Sequence, residues 1–201
     1  ALNLGRGVAS SGTLNIVGSG SAVQLAATST VPGGGPTEAF NPIMRVGRDG
    51  NGELNITGGG KLLIDGQAVS TFADSRGTNL YIGGTNFTDV GGRGIALVSG
   101  AGSEIRLTGS DTHVSVGRGP QSFGQLTVAA QASVSSLGLS VGNGGGVGVL
   151  KVDNASMHLS GQQTGNVLAG AFMVIGNGGG IGVATFTNGS ILNLTNMGTA
   201  G

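Results

Sequence analysis

Three arginines are the residues of this chain whose type and spacing most readily suggest binding chemistry. Arg6, Arg48 and Arg118 each directly follow a glycine that ends a short recurring motif. If the copies of that motif stack, the three guanidinium groups form a column along one edge of the fold. Such a column could bind an anionic glycan or a protein partner weakly. The alternative, which we favour, is a solvated turn position that accepts any polar residue.

Metal-binding side chains are few and scattered. Asp49, Asn51 and Glu53 place oxygen atoms at alternate positions, as calcium loops do, but the full loop with its terminal bidentate glutamate is missing. His113 and His158 are the only histidines, and the absence of cysteine removes thiolate ligands. The sequence therefore predicts no metal site and no cofactor.

Carboxylates that could support catalysis are also thinly spread. Enzymes that hydrolyse glycans need a pair of carboxylates flanking one bond, and no two acidic residues share one slot in adjacent copies of the repeat. Asp65, Asp74 and Asp89 come from one region and are the set that could converge. No serine lies in a nucleophile elbow. We predict no catalytic residues and no enzyme, and keep a glycan-active enzyme as the least favoured alternative.

The overall charge argues against two large classes of partner. Nine basic and nine acidic residues balance, and charged residues make up only 9% of the chain. Proteins that bind nucleic acids usually carry an excess of Lys and Arg, because phosphate neutralisation dominates their affinity. The chain also has no run of about 18 apolar residues. The sequence therefore predicts neither nucleic-acid binding nor a membrane-spanning segment.

All of these residues must be positioned by a repeat of short strands. The motif apolar, any residue, apolar, glycine is followed each time by a glycine-rich turn, a second alternating segment and a third. Short alternating runs between such turns are typical of β-strands rather than helices. The motif occurs six times, at residues 2–5, 44–47, 80–83, 114–117, 139–142 and 173–176.

A repeat this short cannot bury its own apolar face, so the copies must stack on one another. We predict one all-β domain over residues 1–201, a three-sided parallel, right-handed β-solenoid of about six coils with loop insertions. An antiparallel sandwich or barrel is the rival architecture. The glycine that ends each motif is expected at a corner that needs a positive φ. The insertions are predicted at 26–41, 65–79 and 160–172, on one edge of the solenoid, where binding loops usually lie.

The stacking of coils predicts which apolar side chains line the interior. The first segment should contribute one inward ladder and the second segment two. These ladders are Leu4, Val46, Ile82, Val116, Val141 and Ile175; Leu14, Leu54, Ala96, Leu126, Leu150 and Ala184; and Ile16, Ile56, Val98, Val128, Val152 and Phe186.

Several repeats resemble a known family, the type V secretion/PEP-CTERM-associated repeat of bacterial surface proteins. The segments that carry the resemblance are 46–49 with 54–59, 141–145 with 148–152, and 175–178 with 185–190. It covers nearly the whole chain apart from the insertions. The resemblance implies a β-solenoid passenger of an autotransporter-like protein at the bacterial cell surface. The family repeat carries no catalytic residues that could be transferred.

The two ends supply the strongest functional clue. The first strand motif begins at residue 2 and the last third segment closes at residue 194, with no polar cap at either end. Exposed apolar side chains beside an unpaired strand edge favour pairing with another chain. We therefore predict a stacking interface, with copies of the chain head to tail or with further repeats of the same chain. Its residues are Leu2, Leu4, Leu14, Ile16, Ile175, Ala184, Phe186, Leu192 and Leu194.

These features favour an extracellular structural protein, such as a filament, a stalk or a surface-layer element. The alternative is an adhesin, an autotransporter passenger whose inserted loops bind glycans or proteins of a host or matrix. The partners expected are therefore the chain itself or its own further repeats, with a glycan or surface protein as the second choice.

Overall fold

The computed structural model describes residues 1–26, 42–66, 78–85, 91–109, 112–164 and 167–197. These residues form strands and turns, and none of them forms a helix that could cross a membrane. In chain order the strands are β1 (Leu2–Leu4), β2 (Ser11–Val17), β3 (Ala22–Ala26), β4 (Ile43–Val46), β5 (Asn51–Thr57), β6 (Lys61–Asp65), β7 (Thr78–Gly84), β8 (Arg93–Ser99), β9 (Glu104–Thr108), β10 (Thr112–Arg118), β11 (Phe123–Ala129), β12 (Ser133–Ser136), β13 (Gly138–Asn143), β14 (Val147–Asp153), β15 (Ser156–Thr164), β16 (Val167–Ala169), β17 (Phe172–Asn177), β18 (Ile181–Thr187) and β19 (Ile191–Met197).

Three parallel sheets form the sides of the solenoid, and each coil contributes one strand to each sheet. The first sheet has the order β1-β4-β7-β10-β13-β17, and the second has the order β2-β5-β8-β11-β14-β18. The third runs β3-β6-β9-β12-β15, with β19 paired to β15. The predicted three-sided parallel β-solenoid of six coils is therefore confirmed, and the rival antiparallel architecture is wrong.

The predicted inward ladders are confirmed in register. Leu54, for example, pairs with Leu14 on one side and with Ala96 on the other. The same alignment continues through Leu126 and Leu150 in the next two coils. Side chains on one face of parallel strands line up when the coils keep one register, so every coil adds its apolar residues to the same columns.

The core is a stack of aliphatic rungs between the three sheets. In the middle coils these side chains are fully buried, and Met44, Leu54, Ile82, Leu126 and Leu150 each expose 0% of their surface. Burial of a Leu, Ile or Met side chain stabilises a fold by about 1.5–3 kcal/mol. The aliphatic columns therefore hold the coils together in a chain that has no disulfide.

Each predicted corner glycine has a positive φ, as the sequence indicated. The φ values of the six glycines that end the motifs lie between 65° and 79°. A Cβ atom at Gly117 would also lie only 2.0 Å from the carbonyl oxygen of Val147 in the next coil. Glycine is therefore required here for two reasons, the backbone conformation and the close approach of the neighbouring coil.

The insertions are only partly within the described residues. Residues 27–41 and 67–77 lie outside them, so most of the first two predicted insertions cannot be compared. The third prediction needs correction, because β15 continues through residue 164 and pairs antiparallel with β16 instead of ending in a loop. The strand continues because Ser160 and Gly161 find backbone partners in Thr195 and Asn196 of β19.

Candidate functional site

The two end faces of the solenoid are the principal candidate site. We define the N-terminal end face as β1, β2 and β3, and the C-terminal end face as β17, β18 and β19. Within the described part of the chain, each of these strands pairs with a neighbour on one side only. The opposite edge of each strand therefore presents backbone N–H and C=O groups to whatever lies beyond it.

The predicted stacking residues differ in how much surface they expose. Leu4 and Ile16 expose only 9% and 3% of their surface, so they contribute little to an open face. Ile175 and Leu194 at the other end are 48% and 49% exposed. The remaining five are partly buried and pack against the core: Leu2, Leu14, Ala184, Phe186 and Leu192.

The strands of both end faces contain no charged residue. Their sequences include no Asp, Glu, Lys or Arg, and no proline either. Interior strands do carry charges, such as Lys61 and Asp65 in β6 or Lys151 and Asp153 in β14. Natural sheets usually guard exposed edges with charges, proline or bulges against unwanted pairing. Such guarding residues are missing from the six strands where an isolated solenoid would need them most.

The predicted arginine column is spread over three different surroundings. Arg6 is exposed, whereas Arg48 is half-buried with its Nε 3.5 Å from Asp49 Oδ2. Arg118 lies in register with Asn143 of the next coil and donates through a guanidinium nitrogen to the hydroxyl oxygen of Tyr81 at 3.2 Å. Two of the three guanidinium groups are therefore engaged by side chains of this chain.

An arginine and tyrosine cluster on the outward side of the first sheet was not predicted. Arg45 and Arg118 flank the ring of Tyr81, with their guanidinium carbons 5.9 and 5.1 Å from its centroid. Arg45 also donates to the hydroxyl of Thr85 at 2.8 Å. Burial and, next, the positive charge of Arg48 lower the pKa of Arg45 from its usual value. The register of Arg45 with Tyr81 was the signal that could have revealed the cluster.

A second unpredicted group is a buried polar chain on the same sheet. His113 Nε2 lies 3.1 Å from Ser140 Oγ, which donates to Ser115 Oγ at 3.1 Å. Desolvation and then the charge of Arg118 lower the pKa of His113 to about 4, so it is neutral at pH 7. A neutral imidazole beside a hydroxyl resembles a catalytic pair. Ser115 and Ser140, however, expose 0% and 1% of their surface, so no substrate can reach them in this conformation.

Acidic side chains mainly connect neighbouring coils. Asp65 accepts hydrogen bonds from Gln24 of the preceding coil and from Thr108 of the following one. Glu104 Oε2 lies 3.2 Å from Lys61 Nζ of the preceding coil and forms an ion pair with it. Among the residues that the structure describes, no group of three or more His, Asp or Glu side chains could hold a metal. Two members of the predicted acidic set, Asp74 and Asp89, lie outside those residues.

A shallow groove of about 290 Å³ crosses the outward face of the second sheet near the N-terminal end. Glu53 and Arg93 supply its charges, and Ser11, Thr13 and Asn51 supply further polar groups. One carboxylate is not enough for glycoside hydrolysis, which uses two. The groove is therefore suited at most to weak polar contacts.

Comparison of the chain with family models, with curated proteins and with solved structures gave no match.

Proposed function

We propose that this chain is a structural protein in which β-solenoid coils stack into a longer rod. Such a rod would serve as a filament, a stalk or a surface-layer element outside the cell. The observation that carries the proposal is that all six strands of the two end faces are uncharged and, within the described residues, have one unpaired edge. Unguarded edges of this kind favour pairing with another coil of the same type.

The contacts between coils support a mechanical role. Polar side chains continue the stacking outside the core, because Asn55 Nδ2 donates to Asn15 Oδ1 at 3.0 Å and Asp65 bridges three coils. A coil that has a neighbour on each side makes a full set of backbone hydrogen bonds and apolar contacts with them. A terminal coil gains only half of them.

We further propose a bacterial cell-surface location. Its support is the resemblance to the type V secretion/PEP-CTERM-associated repeat. In this chain the residues that carry the resemblance form the ends of first-sheet strands, the corner glycines and turns that follow them, and strands of the second sheet with the turns after them. They are architectural residues, as expected for a repeat that carries no catalytic groups.

A second candidate function is an adhesin that binds an anionic glycan. The observation that favours it is the gathering of Arg45, Arg48 and Arg118 around one corner and Tyr81. Binding of sulfated or carboxylated glycans that disappears in Arg48→Ala but persists in Lys151→Ala, an exposed basic residue of another sheet, would support this function. Equal loss in both variants, or no binding by the chain, would exclude it.

The structural proposal can be tested with a tandem fusion of two copies. Residues 198–201 and Ala1 would provide a five-residue connection between β19 of the first copy and β1 of the second. If coils stack across the junction, the fusion should unfold in urea as one cooperative unit, with a denaturant slope about twice that of the single chain. If the two copies unfold independently, the fusion keeps the midpoint and the slope of the single chain, and this result would contradict the proposal.

A further inference from the structure

The geometry of the two end faces points to a second copy of this chain as the partner, joined head to tail. This inference rests on the proposed function, that coils stack, and adds the identity and register of the next coil. We propose that β17, β18 and β19 of one copy pair in parallel with β1, β2 and β3 of the next. The register continues the existing columns, so that Ile175 lies beside Leu4, Thr185 beside Asn15, and Asn193 beside Gln24 of the next copy.

The corner glycines leave a matching space at the C-terminal end face. Inside the solenoid, a Cβ at Gly142 would lie 2.1 Å from the carbonyl oxygen of Ile181 in the next coil. Gly176 has the same conformation, with φ 68°, yet its nearest described neighbour is Gly180 of its own coil at 3.5 Å. Ser11 occupies the column of Ile181 in the first coil. The carbonyl of Ser11 from a second copy therefore fits the space beside Gly176.

The N-terminal end face offers the reciprocal space at Gly12. In the interior, a Cβ at Gly148 would lie 2.2 Å from the carbonyl oxygen of Val116 in the preceding coil. At Gly12 the nearest described atoms belong to its own coil, with the nitrogen of Gly5 at 2.9 Å. The same register brings the carbonyl of Ile175 from the preceding copy to this position. Both end faces thus accept the backbone of the other.

Outward polar side chains at the two ends are complementary as well. Asn15 accepts from Asn55 through Oδ1, which directs its own amide N–H groups away from that coil and towards the hydroxyl of Thr185 in the preceding copy. Asn193 Nδ2 contacts His158 Nδ1 at 3.2 Å, which leaves its Oδ1 as an acceptor for Gln24 of the following copy. Each junction would therefore add two polar side-chain contacts of the same kind as that between Asn55 and Asn15.

Among the described residues, no like charges face each other across the junction. The strands of both end faces are uncharged, and the apolar side chains Ala184, Phe186 and Leu192 would lie over Leu14, Ile16 and Val23. An alternation of small and large residues already occurs inside, where Ala96 lies between two leucines. The contact joins two different faces, so it generates an open filament unless the rotation between successive copies closes a ring. Each copy would add six coils, or about 29 Å.

Cysteine pairs provide a direct test, because the chain contains no cysteine of its own. Thr185→Cys combined with Asn15→Cys places the two thiols on adjacent strands of neighbouring copies, about 4.8 Å apart at Cα, which permits a disulfide. Within one chain the same two positions are separated by five strand spacings, roughly 24 Å, so no internal disulfide can form. Oxidation with copper phenanthroline should give a ladder of dimers, trimers and longer species on non-reducing gels.

A mismatched pair and a charged variant serve as controls. Thr185→Cys with Gln24→Cys lies on two different sheets and should give at most a tenth of the cross-linked product, whereas Asn193→Cys with Gln24→Cys should again give the ladder. Ala184→Asp should weaken association at least about a hundredfold, because stacking would bury an unpaired charge. Monomers only, or equal ladders from matched and mismatched pairs, would overturn the head-to-tail register. If the tandem fusion nevertheless unfolds as one unit, coils can stack when they are joined in one chain, and only the association of separate copies is wrong.

Discussion

Substitution of two equivalent glycines separates the strain of the turn from the contact between coils. Gly142 and Gly176 end the same motif in successive coils and have φ values of 70° and 68°. Alanine at either position must adopt a left-handed conformation, which costs about 1–2 kcal/mol. At Gly142 the new Cβ would also lie 2.1 Å from the carbonyl of Ile181, where real contacts need at least 3.0 Å. The two coils must therefore separate there by roughly 1 Å, an overpacking that costs about 1–3 kcal/mol more.

The expected loss in the free energy of unfolding is therefore about 2–5 kcal/mol for Gly142→Ala and about 1–2 kcal/mol for Gly176→Ala. Urea titrations followed by far-ultraviolet circular dichroism would measure both values. The measurement should be made in an Ala184→Asp background, which is expected to keep the chain monomeric. Equal losses in the two variants would show that the contact between coils at Gly142 adds nothing to the cost of the substitution.

Three further predictions concern the core, the pH dependence and a surface ion pair. Leu126 is fully buried and Leu194 is half exposed, so Leu126→Ala should lower the free energy of unfolding by about 2–5 kcal/mol and Leu194→Ala by less than about 1.5 kcal/mol, as measured in urea. Burial lowers the pKa of His113 to about 4. The unfolded chain therefore binds the proton more readily than the folded chain. The free energy of unfolding should fall by up to about 3 kcal/mol as the pH drops from 6.5 to 4. His113→Gln should abolish this part of the pH dependence of the urea midpoint. Lys61→Met removes the exposed pair with Glu104 and should change the free energy of unfolding by less than about 1 kcal/mol in the same assay.

The architecture was predictable because two independent signals in the sequence agree. Alternation of apolar residues fixed which side chains face inward, and the glycine at the end of each motif fixed where each coil turns. Register in the second sheet followed from its own glycine, since Gly12, Gly52 and Gly94 each lie two residues before the aligned positions 14, 54 and 96. A stacked repeat of this kind makes local pattern and long-range pairing the same information.

The outward clusters were less predictable because their residues come from different slots of the repeat. Arg45 and Tyr81 share one column. Arg118, however, lies near the corner of the next coil and contacts Tyr81 from there. The pairing of His113 with Ser140 likewise depends on side-chain conformation and burial, which periodicity does not specify. The strand extension from Ser160 was missed because residues 160–164 contain no apolar side chain, so they lack the alternation that marks the other strands.

Amide hydrogen exchange in the tandem fusion would measure directly whether coils stack through their end faces. The fusion, with Ala184→Asp in its second copy to block association with further chains, contains two copies of β18, one facing the junction and one at the free end. If coils stack through their end faces, the amides of β18 at the junction should be protected as strongly as those of the interior strand β11, while those of the terminal β18 exchange faster. Equally fast exchange in both copies of β18 would show that the end faces do not stack.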